Sequence, residues 1–259
     1  MFALIIAGEV VFLLPFGFPR IFRPTILDVF EITNTELGLA FSMYGVLAIL
    51  AYGVGGFLAD RFPARILMTV ALLLTAAFGF LLATIPSFEL LVFIYAWWGI
   101  TTILLFWSAM LRSVRVWGGR SSQGLAYGIL DSGRGLSAAI LASLSVVLLA
   151  SLLPDDVVSA DITQRRKALQ NIIYIYCAIT ILAGVFVWFV IPGRQTTAGH
   201  TSPHRIDWSK ISSVAKNPAI WAQAVIVVCA YVGYKSTDDF SLYARDVMKY
   251  DDVAAAGVG

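Results

Sequence analysis

Gly56-Phe57-Leu58-Ala59-Asp60-Arg61-Phe62-Pro63-Ala64-Arg65 is the stretch that decides the fold, because an apolar run ends there in one acid and two arginines before another apolar run begins. Working outward, residues 37–59 and 66–85 are each long enough to cross roughly 30 Å of hydrocarbon as a helix rising about 1.5 Å per residue. The quoted stretch is therefore a charged hairpin between two membrane spans. Composition agrees: 59% of the 259 residues are hydrophobic, 13% are charged, and the mean hydropathy is +0.83. A soluble domain would be about half apolar and a quarter charged. The apolar residues come in separated runs, not in the short alternating segments of an outer-membrane barrel. The fold class is all-α membrane protein.

The first span is expected over residues 2–20, with no basic leader and no small-residue cleavage site, so it reads as a retained helix. A chain entering the membrane at residue 2 is expected to have lost a short polar leader. Glu9 lies mid-run, where an ionised carboxylate is costly; it is a candidate for proton coupling or a neutral, hydrogen-bonded packing residue. Residues 22–36 read as a polar connection ending in Thr33-Asn34-Thr35-Glu36, a cap for the second span. That span carries Gly45, Gly53, Gly55 and Gly56, small residues that let helices approach closely.

Residues 88–111 form a fourth span with Trp97, Trp98 and Trp107, some of which are candidates to line a cavity. Residues 112–122 read as a second basic loop, with Arg112, Arg115 and Arg120. The fifth run, 123–153, contains Asp131 and Arg134, three residues apart and so on one helix face. A sixth span is expected over 172–191, a polar linker over 193–217, and a seventh span over 218–234. Past Lys235 the chain reads as polar, and residues 254–259 look like the opening turn of another span.

Little covalent chemistry is implied. Cys177 and Cys229 lie apart in apolar runs and imply no disulfide framework, zinc spacing or redox pair. His200 and His204 share a polar loop with no third ligand, so no metal, cofactor or enzymatic activity is expected. A net charge of +2 without a basic arm makes nucleic acid an unsuitable partner. Lys and Arg in the loops divide nine to eight between the two sides, too even to orient the chain by the positive-inside rule.

Gly56, Asp60, Arg61 and Arg65 resemble the Gly-x-x-x-Asp-Arg-x-Gly-Arg-Arg/Lys signature between the second and third helices of the major facilitator superfamily; Pro63 and Ala64 depart from it. The resemblance implies two six-helix bundles, about seven of whose expected twelve helices are present, and alternating access around a mid-membrane site. Residues 1–192 would be the first bundle, 193–217 a cytoplasmic linker, and 218–259 the seventh helix and the start of the second bundle. Five further spans are then expected downstream of Gly259. It also implies a plasma (inner) membrane transporter whose hairpin, cytoplasmic at residues 60–65, acts as a conformational latch through Gly56, Asp60, Arg61 and Arg65. The alternative reading of these charges is that they end spans and set topology.

Residues 117–135, and Tyr234-Lys235 with Asp239-Phe240-Ser241, look similar to organophosphate and organic-anion carriers. That finer resemblance implies a small anionic organic substrate, with Lys235 at or within one residue of the seventh-helix basic position, Arg134 in the polar part of the fifth helix and Arg20 about a turn from the first-helix basic position. Apart from the family, a mid-membrane Arg134 costs roughly 2.5–3.5 kcal/mol unless it has a partner or a wet cavity. A permanent pair with Asp131 and a substrate role oriented by Asp131 both satisfy this. Protons or a counter-ion are the expected coupling partners, the lipid bilayer the expected surroundings. A membrane sensor or assembly protein that keeps the fold without transporting is the alternative function.

Overall fold

The computed structural model describes residues 1–119, 121–154, 160–193 and 216–259. His200, His204, Arg120 and most of the 193–217 linker lie outside the described residues. Among the described residues all regular structure is helical. Six helices among the described residues are long and apolar enough to cross a membrane, and a seventh crossing results if the bent pair at the N-terminus is one span.

That first span is not continuous. Helix α1 (Phe2–Val10) gives way to a π-helical segment (Leu13–Gly17) and then α2 (Phe18–Ile21), with a 43° bend. Pro15 and Pro19 lack the amide protons that a straight α-helix would use, so the break falls where they stand. The expected polar connection over 22–36 is largely helix: α3 (Arg23–Phe30) buries Arg23, Pro24, Thr25, Ile26, Val29 and Phe30. Its charges meet partners on other elements, which makes burial affordable.

The second span, α4 (Asn34–Arg61), opens on a reciprocal cap in which Glu36 N–H donates to Thr33 Oγ1 at 3.2 Å and Thr33 N–H donates to Glu36 Oε2 at 2.7 Å. After a two-residue break, Phe62-Pro63, α5 (Ala64–Leu82) begins with Pro63 at its N-cap. The fourth span runs as α6 (Phe88–Gly99), a π-helical segment (Ile100–Trp107) and α7 (Ser108–Gly118). Most of the expected second basic loop is thus helix, with Arg112 and Arg115 on α7. Hydropathy falls where the hydrocarbon ends, whereas backbone hydrogen bonding carries the helix on into the polar zone.

The fifth and sixth spans are α8 (Gln123–Leu152) and α9 (Ile162–Val190), the latter begun ten residues before the expected 172 by a second reciprocal cap, Asp161 with Gln164. The seventh span, α10 (Pro218–Lys235), continues past the predicted end through a 3₁₀ turn (Ser236–Asp239) into α11 (Phe240–Asp246); α12 (Asp252–Ala256) follows. Second packs against fourth, third against sixth, and first against fifth and sixth. Trp98 and Tyr95 centre one core, and Trp98 Nε1 donates to Thr75 O at 3.1 Å. Of the four glycines noted on the second span, Gly55 alone makes a close approach. A Cβ there would lie 2.6 Å from Ser108 Oγ, whereas Gly45, Gly53 and Gly56 have open space.

Candidate functional site

The fifth span crosses the first where both are thin. A Cβ on Gly133 would meet Ile5 Cδ1 at 2.6 Å, and one on Gly8 would meet Met110 Sδ at 2.8 Å and Arg134 Cδ at 3.2 Å. The missing side chains leave a passage for Arg134 to reach from α8 to α1. Its Nε donates to the Gly8 carbonyl at 3.1 Å, an acceptor available because the π-helical break downstream disturbs the regular ladder of this span. Glu9 Oε2 lies 3.6 Å from that nitrogen, and Asp131 Oδ1 lies 3.7 Å from Nη1. The Asp131 pair expected from sequence is therefore one of two. Glu9 is as sheltered as Arg134, each side chain 21% exposed, whereas Asp131 is 70% exposed and the weaker partner.

Aromatic rings floor this cation. Its guanidinium carbon stands 5.5 Å from the Trp107 ring centre and 5.9 Å from that of Phe12. Trp107 ends one π-helical segment and Phe16 sits in the other, and such segments turn side chains out of α register. Phe12 contacts both Trp107 and Phe16, and Phe16 meets Phe41 and the edge of Tyr44. At the far end of this series Lys235 Nζ lies 4.7 Å from Phe16 and 5.7 Å from Phe41, while pairing with Asp238. Lys235 thus lies against the first and second spans. Sequence periodicity gives no signal for Phe12, Phe16 or Phe41, which read as ordinary span residues.

Arg20, on α2, binds the seventh span and its 3₁₀ extension. Its Nη1 donates to Tyr234 Oη at 2.9 Å and its Nη2 to Thr237 Oγ1 at 2.8 Å, with Asp238 at 3.9 Å. Arg23 bridges Asn34 and Asp239, both at 2.7 Å. Asp28 accepts from Arg245 at 2.7 Å and Arg165 at 3.4 Å, and Arg165 Nε stands 3.2 Å from Asp252 Oδ2 at an angle short of a hydrogen bond. Burial pushes the Asp252 carboxyl above the ordinary aspartate range, against the pull of Arg165 and Arg245. These groups clamp α3, the start of α9, α11 and α12 together.

Asp28 is the hub of the clamp, so Asp28→Asn leaves Arg165 and Arg245 facing each other with a neutral acceptor. Because the pairs are partly solvated, the expected loss is about 1–2 kcal/mol. The thermal unfolding midpoint of the purified protein in detergent should fall by a few degrees, with the gap to wild type narrowing in high salt. An unchanged midpoint at low salt would remove the clamp from the account.

The hairpin is differently arranged. Asp60 is exposed beside a shallow pocket lined by Gly56, Ser108, Arg112 and Arg115, and it makes no ion pair among the described residues. Arg61 lies over Phe57 at 4.2 Å and Arg65 over Trp188 at 4.7 Å, and Arg112 donates to the Ala59 carbonyl. No residue of α10 is buried along its whole length. The described residues contain no cluster of three or more His, Cys, Asp or Glu able to hold a metal.

A family model described as the Major Facilitator Superfamily matches residues 5–259. Among curated relatives, the chain is 28% identical over 229 residues to Inner membrane protein YqcE of Escherichia coli, covering 88% of this chain and 52% of that protein. It is 24% identical to Inner membrane protein YihN of the same organism, covering 85% and 51%. It is also 25% identical to Uncharacterized protein MG294 homolog of Mycoplasma pneumoniae, covering 84% and 48%. The chain spans about half the length of the curated relatives it matches.

Proposed function

The chain belongs to the major facilitator superfamily, a family of transporters, and from that premise we propose that it takes part in moving a small organic anion across the inner membrane by alternating access. One observation carries the anion: Arg134, a permanent cation within a membrane span, keeps 21% of its side chain accessible and is held by two carboxylates over two rings. A guanidinium with donors to spare on a sheltered aromatic floor suits a carboxylate, phosphate or sulfonate. Asp131 orients it from the same helix. Lys235 and Arg20, which share Asp238, supply a second positive locus on the seventh span.

The two faces suggest how access alternates. Away from the hairpin, the clamp of Arg20, Arg23, Asp28 and Arg165 with Asp238, Asp239, Arg245 and Asp252 joins the first and seventh spans. Toward the hairpin, Asp60 makes no ion pair among the described residues. This combination supports a state closed on the clamp face and open on the hairpin face, which we take to be cytoplasmic. Residues 1–192 would move as one bundle and 218–259 with the other, joined by the 193–217 linker. Gly56, Asp60, Arg61 and Arg65 would latch when the clamp opens.

Glu9 adds coupling. It and a substrate anion would compete for one guanidinium, so a proton on Glu9 would release Arg134 to the substrate. Transport by the wild type should then rise as pH falls, and Glu9→Gln should flatten that dependence. A Glu9→Gln profile identical to wild type would exclude Glu9. Uptake of organic anions into vesicles containing the protein tests the reading as a whole. Saturable flux above protein-free vesicles is expected. Specific binding without any flux would instead favour a membrane sensor or assembly protein.

A further inference from the structure

Between Arg134 and Lys235 runs an unbroken strip of aromatic rings. From the guanidinium to Phe12 is 5.9 Å, from Phe12 to Phe16 is 6.2 Å, and from Phe16 to the Lys235 ammonium is 4.7 Å. Trp107 flanks the first step, 5.8 Å from Phe12, and Phe41 the last, 5.9 Å from Phe16. Phe12, Phe16, Phe41 and Trp107 all remain partly exposed, unlike the fully buried Trp98 and Tyr95 of the core. Core rings are closed off from solvent; these keep part of their surface accessible. The positive ends are thus separated by apolar, quadrupolar surface.

We propose that the substrate is an organic anion with a flat apolar body, an aryl carboxylate or aryl phosphonate in type, whose acidic group meets Arg134 while its ring lies along Trp107, Phe12 and Phe16. The proposal rests on the reading of Arg134 as an anion site and narrows what that site accepts. A polyhydroxylated anion of similar length would leave its hydroxyls facing rings and lose the water they gave up. A short anion would hold Arg134 but leave the strip uncovered. Trp107 and Phe12 act as specificity-determining residues, setting which anion is preferred.

Equilibrium binding to the purified protein in nanodiscs tests this with three probes: phenylphosphonate, methylphosphonate and gluconate. Phenylphosphonate is expected to bind at least roughly tenfold more tightly than either other probe. Trp107→Ala should cut the phenyl-to-methyl ratio to below about threefold, and Trp107→Phe should keep most of the ratio. Equal affinities for the phenyl and methyl probes, gluconate binding as tightly as phenylphosphonate, an unchanged ratio in Trp107→Ala, or no saturable phenylphosphonate binding would each overturn the proposal. Arg134→Ala separates the two levels. Retained phenylphosphonate binding in that variant defeats the anion site itself, whereas lost binding of both phosphonates with equal wild-type affinities defeats only the aromatic preference.

Discussion

Arg134→Ala is expected to cut anion flux by about a hundredfold or more, the equivalent of roughly 3 kcal/mol, because it removes a sheltered charged hydrogen-bonding partner rather than a peripheral charge. Three groups depend on this side chain at once: the Gly8 carbonyl at 3.1 Å, Glu9 at 3.6 Å and Asp131 at 3.7 Å. Asp131 can turn to water, being 70% exposed. Glu9 cannot do so as readily, and without its counter-charge it either takes up a proton or remains a costly ion in the membrane. The variant should therefore lose transport and also some stability.

Those two losses can be separated. Glu9→Gln added to Arg134→Ala removes the orphaned carboxylate, so insertion and thermal stability should recover while flux stays absent. Arg134→Lys keeps the charge but not the planar fork that reaches Gly8, Glu9 and Asp131 together, and a loss of about tenfold is expected. Flux should be compared at equal amounts of inserted protein. Arg134→Ala within about threefold of wild type would reduce the Glu9–Arg134–Asp131 group to a structural tie between the first and fifth spans.

How far such a group can be read from sequence depends on which link holds it together. Asp131 and Arg134 are legible because three residues on a helix fix a shared face, and the pair is present. Glu9 and Arg134 each stand out as charges within apolar runs, yet their meeting depends on the register between two helices, which neither run encodes. The same holds for Lys235: its pairing with Asp238 follows helix spacing, whereas its place over Phe16 and Phe41 follows from where the seventh span lands. The hairpin and most spans are legible because hydropathy reports the bilayer directly. Where polar residues continue a helix, as in Arg23–Phe30 and Phe240–Asp246, hydropathy reports solvent and misses the backbone. The break in the first span did carry a signal, in Pro15 and Pro19, but the apolar count alone does not read it.

The contact most sensitive to a small change is one that composition makes look ordinary. Gly99 ends α6 where the fourth span passes into its π-helical segment, and a Cβ there would stand 2.5 Å from the Tyr44 carbonyl oxygen and 3.3 Å from Leu47 Cβ. A backbone carbonyl inside a helix cannot rotate away as a side chain can, so Gly99→Val must push the second and fourth spans apart. The expected cost is about 3 kcal/mol, from overpacking at the contact and packing lost around it. Tyr44 is also tied to Thr102 at 2.6 Å and meets Phe16 edge-on at 4.7 Å, so the displacement reaches the ring that carries Lys235. Gly45 is the control: it neighbours Tyr44 on the same helix, but a Cβ there meets nothing within 4 Å. Gly45→Ala should be neutral or stabilising by up to about 1 kcal/mol through helix propensity alone. Unfolding midpoints in detergent should therefore diverge sharply for two glycines on neighbouring helices. If Gly99→Val unfolds at the wild-type temperature, the second and fourth spans are free to separate, and the wall bearing Tyr44 and Phe16 is not held as described.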